Sequence, residues 1–168
     1  MSRTALRIAG IAVASAVACG VGGAANAQLL VHKDISLAMA TAIARATIEA
    51  CKAQGYNVSV HVLGREGQVI LGVRNENASL ITFENSMKKA YTARTFRRSS
   101  GDFNANVVKG NPNTAALFLT NITPAQGALP IMIGEEVIGA AGVSGAPGGE
   151  KDEACVKAGI DKVAADLK

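Results

Sequence analysis

The run Tyr56-Asn-Val-Ser-Val-His-Val-Leu-Gly-Arg-Glu-Gly-Gln-Val-Ile-Leu-Gly-Val73 decides the fold. Val58, Val60 and Val62 alternate with Ser59, His61 and Leu63, the two-residue period of a strand whose two faces differ. Gly64-Arg65-Glu66-Gly67 supplies a turn and Gln68 to Val73 returns, so the spacing predicts a β-hairpin.

Upstream, Asp34 or Ser36 can cap a helix running to about Gln54. Ile35, Met39, Ala42, Ile43, Ala46 and Ala50 recur there at helical spacing, and Gly55 ends it. Downstream, a second helix is predicted from Ser79 to Arg98, with Phe83, Met87, Ala90, Tyr91 and Arg94 on one side. Ser99 to Leu129 is rich in Gly, Asn, Pro and Thr, and reads as mostly loop with one or two short helices, such as one around Thr114 to Leu119. Pro130–Ile133 and Val137–Val143 form a second hairpin turning at Gly134-Glu135-Glu136, and a last helix spans Lys151 to Lys168. The fold class is therefore α+β, one domain over residues 28–168. Its antiparallel sheet is built from two β-hairpins, with terminal and central helices packed on it.

The first residues carry a different message. Arg3 and Arg7 precede an apolar stretch from Ile8 to about Val21, and Ala25-Asn26-Ala27 is the small-x-small pattern a signal peptidase accepts. Residues 1–27 read as a signal peptide, mature protein starting at Gln28, in a periplasmic or secreted location. A lipid on Cys19 is the competing reading, although Ala16 stands where a larger aliphatic residue is usual. Without these residues, 15 of the 17 basic side chains and all 13 acids remain, a net charge of about +2. No Lys/Arg block is left and the chain has no Trp, so nucleic acid is not an expected partner. No other apolar segment is long enough for a membrane span. The remaining cysteines, Cys51 and Cys155, form an even pair on the two terminal helices, which in an oxidising compartment predicts a disulfide; two buried free thiols are the alternative.

Standard catalytic signatures are missing. Gly142-Val143-Ser144-Gly145 lacks the nucleophile-elbow spacing, and HExxH, CxxC and CxxCH do not occur, which excludes covalent c-type haem and familiar zinc patterns. Three features remain. The Gly-rich segment after the last strand, with Gly142, Ser144 and Gly145, is either a ligand loop before a helix N-terminus or a plain strand-to-helix connection. Glu150, Asp152 and Glu153 suit that helix start and repel an incoming anion. In Lys88-Lys89-Ala90-Tyr91-Thr92-Ala93-Arg94-Thr95-Phe96-Arg97-Arg98, the cations late in the second helix either balance the helix dipole, which suits Arg97 and Arg98, or the run forms a basic rim for carboxylates, haem propionates included, with Arg94, Arg97 and Arg98 as its arginines. His61 shares a strand face with Ser59 and Leu63. It is either a hydrogen-bonded structural residue or an axial haem ligand, with Tyr91, Met87 and Met132 as other ligands to weigh.

Together the motifs resemble the GlcG/HbpS-like haem-binding (haem-degrading) domains, also seen as the C-terminal module of PduO-type proteins. The resemblance covers nearly all of residues 33–168. It rests on Gly55-Tyr-Asn-Val-Ser-Val60, Arg74 with Ala78, Lys89-Ala-Tyr-Thr-Ala93 with Phe96, and Pro130-Ile131. It continues in Val137-Ile-Gly-Ala-Ala-Gly-Val-Ser-Gly-Ala-Pro-Gly-Gly149 and Asp152-Glu-Ala-Cys-Val-Lys-Ala-Gly159. Gly64 and Gly127-Ala-Leu-Pro130 depart from the family pattern. The resemblance implies a sheet-and-helix domain, commonly a homo-oligomer, with non-covalent haem as cofactor and haem or another small molecule as partner. The expected function is extracytoplasmic haem handling or sensing. The alternatives are a non-haem oligomeric scaffold and an enzyme acting on haem or a small acid, for which no acid–base constellation is visible.

Overall fold

A computed structural model describes residues 28–110 and 112–168. The expected signal peptide over 1–27, with Cys19, lies outside the described residues. Residues 32–168 form one compact unit. Helix α1 runs Leu37–Lys52, and Ser36 is its cap: Ser36 Oγ accepts from the Met39 N–H at 3.1 Å. Asp34 instead clamps the first hairpin turn, accepting from the Arg65 N–H at 2.7 Å and from Gln68 Nε2 at 2.8 Å.

Strands β1 (Ser59–Leu63) and β2 (Val69–Arg74) pair antiparallel, as do β3 (Ala128–Ile133) and β4 (Glu136–Ser144). Gly134, at φ 58°, supplies the left-handed residue of the second hairpin turn. The hairpins join through an antiparallel β1–β4 ladder, giving the order β2-β1-β4-β3. The sheet of two hairpins is thus the one expected.

The valine face of β1 meets α1 and α4 (Gly149–Lys162) in the main apolar core, with Val58, Val60, Val62, Ile43, Ile131, Ile138, Val143 and Val156 all shielded from water. Cys51 on α1 and Cys155 on α4 are paired there, their Cα atoms 5.4 Å apart. Helix α2 (Leu80–Phe96) covers the opposite face.

One long stretch differs from expectation. Residues 99–129 do hold two short helices, and the 3-10 helix Pro112–Phe118 lies close to the one expected around Thr114–Leu119, but α3, Ser100–Val108, falls where no helix was placed and leaves less loop than expected. Ser99 caps α3 by accepting from the Asp102 N–H at 2.9 Å, and Phe103 stacks on Phe96 with ring centroids 4.4 Å apart. A helix held by one aromatic anchor leaves almost no periodic signal, which is why composition pointed to loop. The last helix starts at Gly149 and ends at Lys162, followed by a 3-10 turn, Ala164–Asp166. Among the described residues no helix is long and apolar enough to cross a membrane.

Candidate functional site

Helix α2 rests on the sheet mainly through polar side chains. Thr82, Ser86, Lys89 and Ala93 recur at helical spacing on its inner side, and all are buried. Each of the first three meets a partner. Ser59 Oγ and Thr82 Oγ1 lie 2.8 Å apart, His61 Nδ1 and Ser86 Oγ 2.9 Å apart, and Lys89 Nζ donates to Asp152 Oδ2 at 2.7 Å. The apolar cluster on this side is small, made of Ala93, Ala128 and Ala140. Gly142 lets the helix settle: a Cβ there would stand 2.5 Å from the Ser86 carbonyl and 2.7 Å from the Ala90 nitrogen.

His61 sits at the centre of this polar layer, 4 % exposed. Ser86 Oγ has one hydrogen, and the Phe83 carbonyl lies 2.9 Å away to accept it. That assigns Nδ1–H of His61 as donor to Ser86 and leaves the Nε2 lone pair unprotonated. Burial lowers the imidazole pKa to about 4, so the ring is neutral at physiological pH. Phe83 meets it edge-on, with centroids 4.4 Å apart. Beside Phe83 the first turn of α2 exposes Leu80 (78 %) and Ile81 (64 %) around an open recess of about 580 Å³. Arg74 lies two residues beyond Gly72 on the same face of β2, exposed, and donates to the Ala78 carbonyl at 2.6 Å.

A second concavity, about 350 Å³, lies under the Gly-rich segment and is lined by Asn85, Lys89, Asn104, Gln126, Ser144 and Asp152 among others. Asn85 Nδ2 donates to Ser144 Oγ at 3.0 Å, and Asp152 Oδ1 accepts from the Ala146 N–H at 2.9 Å. Burial raises the Asp152 carboxyl, and the Lys89 ammonium and Ala146 N–H oppose that rise. Of the loop residues singled out in the sequence, Ser144 faces this concavity, Gly142 lies beneath α2, and Gly145 takes φ 138° against the Asn57–Val58 backbone.

The other singled-out residues stand at the far end of α2. Tyr91 packs over Gly67 of the first hairpin turn. Arg94 is half-buried, Arg97 is the exposed left-handed C-cap (φ 53°), and Arg98 lies over the Phe96 ring at 5.8 Å. Arg97 is about 16 Å beyond Ser86 along the helix axis at ~1.5 Å per residue. The structure therefore does not gather His61 and the arginines into one cluster. Among the described residues, no group of three or more His, Cys, Asp or Glu could hold a metal ion.

Two features escaped the sequence reading. Lys89 belongs to the inner stripe of α2 rather than to a basic rim, and the spacing Thr82-Ser86-Lys89-Ala93 was the signal for it. Phe83 as the cover of His61 had no local signal, because it is a contact between a strand and a helix 22 residues later.

Residues 35–161 match the family model described as haem degrading protein HbpS-like. Protein GlcG of Escherichia coli K12 is 30 % identical over 110 residues, which is 66 % of this chain and 81 % of that one. The crystal structure of Klebsiella pneumoniae protein ORFY superposes with TM-score 0.76 at 26 % identity, covering 83 % of this chain and 96 % of that one. A PduOC–haem complex has TM-score 0.70 at 21 % identity, covering 76 % and 94 %, a likeness of fold.

Proposed function

This chain belongs to the HbpS-like family of haem-degrading proteins, and we propose that it binds haem non-covalently in an extracytoplasmic compartment, where it serves haem handling or sensing. The observation that carries the reading is the state of His61: a neutral imidazole, oriented by Ser86 through Nδ1, with its Nε2 lone pair unprotonated and turned toward Gly72 beneath Phe83. Histidines that ligate metals characteristically donate their other ring N–H to an orienting acceptor. His61 would hold the iron, the apolar surface of Leu80, Ile81 and Phe83 would meet the porphyrin face, and Arg74 would meet a propionate. Haem, when bound, supplies a redox-active iron; the chain supplies an apolar surface, an oriented nitrogen and a cation.

The signal peptide over residues 1–27 and the pair Cys51–Cys155 support an exported protein with an oxidised disulfide. The outer strands β2 and β3 are both edges within the single chain, which suits assembly into a homo-oligomer. A haemin titration monitored by absorbance tests the reading: a Soret band saturating at one haem per chain is expected. A band that grows without saturation, or none, removes haem from the account and favours a scaffold whose assembly is the function.

A further inference from the structure

Gly72 leaves a notch in the face of edge strand β2, and two aromatic rings fill it. A Cβ built on Gly72 would lie 2.5 Å from His61 Nε2 and 3.1 Å from Phe83 Cζ. Nε2 is thus turned toward the bare backbone of Gly72, and the tip of the Phe83 ring occupies the space beside it. The cover is the exposed partner: Phe83 is 38 % exposed and His61 only 4 %. The Phe83 carbonyl is fixed in α2 and receives the Ser86 hydroxyl, so its backbone is held while its ring faces an open recess lined by Leu80 and Ile81. A rotamer change at χ1 can therefore move the ring without unwinding the helix.

We propose that Phe83 is a shutter over His61 Nε2. Its ring swings into the Leu80–Ile81 recess to open the Gly72 notch, and Ser86 is the positioning residue that keeps the His61 lone pair aimed at that opening. The purpose of the opening, iron ligation, rests on the haem-binding reading; the shutter itself is a property of the protein alone. Withdrawing one side chain exposes a nitrogen that is otherwise closed to solvent and to ligands. Ligation through Nε2 then proceeds only from the open form, so its rate scales with the fraction of time the ring is withdrawn.

The test uses the haem-free protein first. Diethylpyrocarbonate acylates accessible imidazole nitrogens, and mass spectrometry of peptides reads His61 separately from His32, which serves as the exposed reference. His61 modification should be slow in the wild type, at least tenfold faster in Phe83→Ala and several-fold faster in Phe83→Leu, and unchanged in Leu80→Ala. Circular dichroism of each variant separates opening from unfolding, and Phe83→Leu keeps the test valid if Phe83→Ala does not fold. Long-range 1H–15N spectra should show one tautomer, protonated on Nδ1, in the wild type and a mixture in Ser86→Ala. Equal His61 rates in wild type and both Phe83 variants overturn the shutter, and an Nε2–H tautomer in the wild type overturns the role of Ser86. Haemin mixing then decides the rest. A Soret shift that forms at least tenfold faster in Phe83→Ala supports gated ligation. No haemin binding by a wild-type protein whose His61 is gated removes the haem reading and leaves the shutter standing.

Discussion

Lys89 of α2 and Asp152 of α4 meet at 2.7 Å with only 5 % and 3 % of their side chains exposed, although the two helices lie on opposite faces of the sheet. The pair wraps the end of β4, and Gly127 is pressed against both: a Cβ there would stand 2.9 Å from Lys89 Nζ and 2.7 Å from the Asp152 Cβ. It ties the polar layer under α2 to the start of α4. Removing one partner leaves the other's charge largely buried and unpaired.

Lys89→Met should therefore destabilise the protein by about 3–5 kcal/mol, the usual cost of breaking a buried pair. The double variant Lys89→Met with Asp152→Asn should recover much of that loss, because no unpaired charge is left. Denaturant midpoints of the three proteins check it.

His61 should make the protein acid-sensitive. Its folded pKa, about 4, lies below the unfolded value of 6.5, so the unfolded chain binds the proton first as pH falls. The stability contributed by the neutral ring is complete above pH 6.5 and is lost between 6.5 and about 4, roughly 3 kcal/mol at ~1.36 kcal/mol per unit. In His61→Asn this part of the pH dependence should vanish, read from urea midpoints between pH 7 and 4.

Gly142→Ala probes the seating of α2. The added methyl would press on the Ser86 carbonyl and the Ala90 nitrogen, both helix backbone that cannot swing aside. A loss of about 1–3 kcal/mol is expected, and the same shift should disturb the His61–Ser86 contact, visible in the ring 15N signals.

The Cys51–Cys155 pair closes a loop with a sequence separation of 104. Chain-entropy reasoning gives about 4.7 kcal/mol for a loop of ~100 residues, an upper figure. The Cys51→Ala, Cys155→Ala protein should unfold at lower denaturant by about 2–5 kcal/mol. Non-reducing peptide mapping of protein taken from its native compartment should recover the two cysteines as one cross-linked peptide.

Export makes a prediction of its own. N-terminal sequencing of the extracytoplasmic protein should begin at Gln28; retention of Met1, or a lipid on Cys19, overturns it.

Much of this molecule was already written in local pattern. The alternation of Val58, Val60 and Val62 with Ser59, His61 and Leu63 marked β1 and its two faces, and the glycines of 64–67 and 134 marked both hairpins, because period and turn chemistry are short-range properties. The same alternation put His61 on the face opposite the valine core. What covers that face was not legible. Ser86, Phe83 and Gly72 reach His61 only once α2 has docked and β2 has paired in register, and Lys89 finds Asp152 across 63 residues of chain. A side chain's spacing fixes the face it occupies, whereas its partner, its burial and its protonation state are set by whatever long-range packing brings against that face. The helix and the edge strand turned an ordinary strand histidine into a neutral, oriented and covered one.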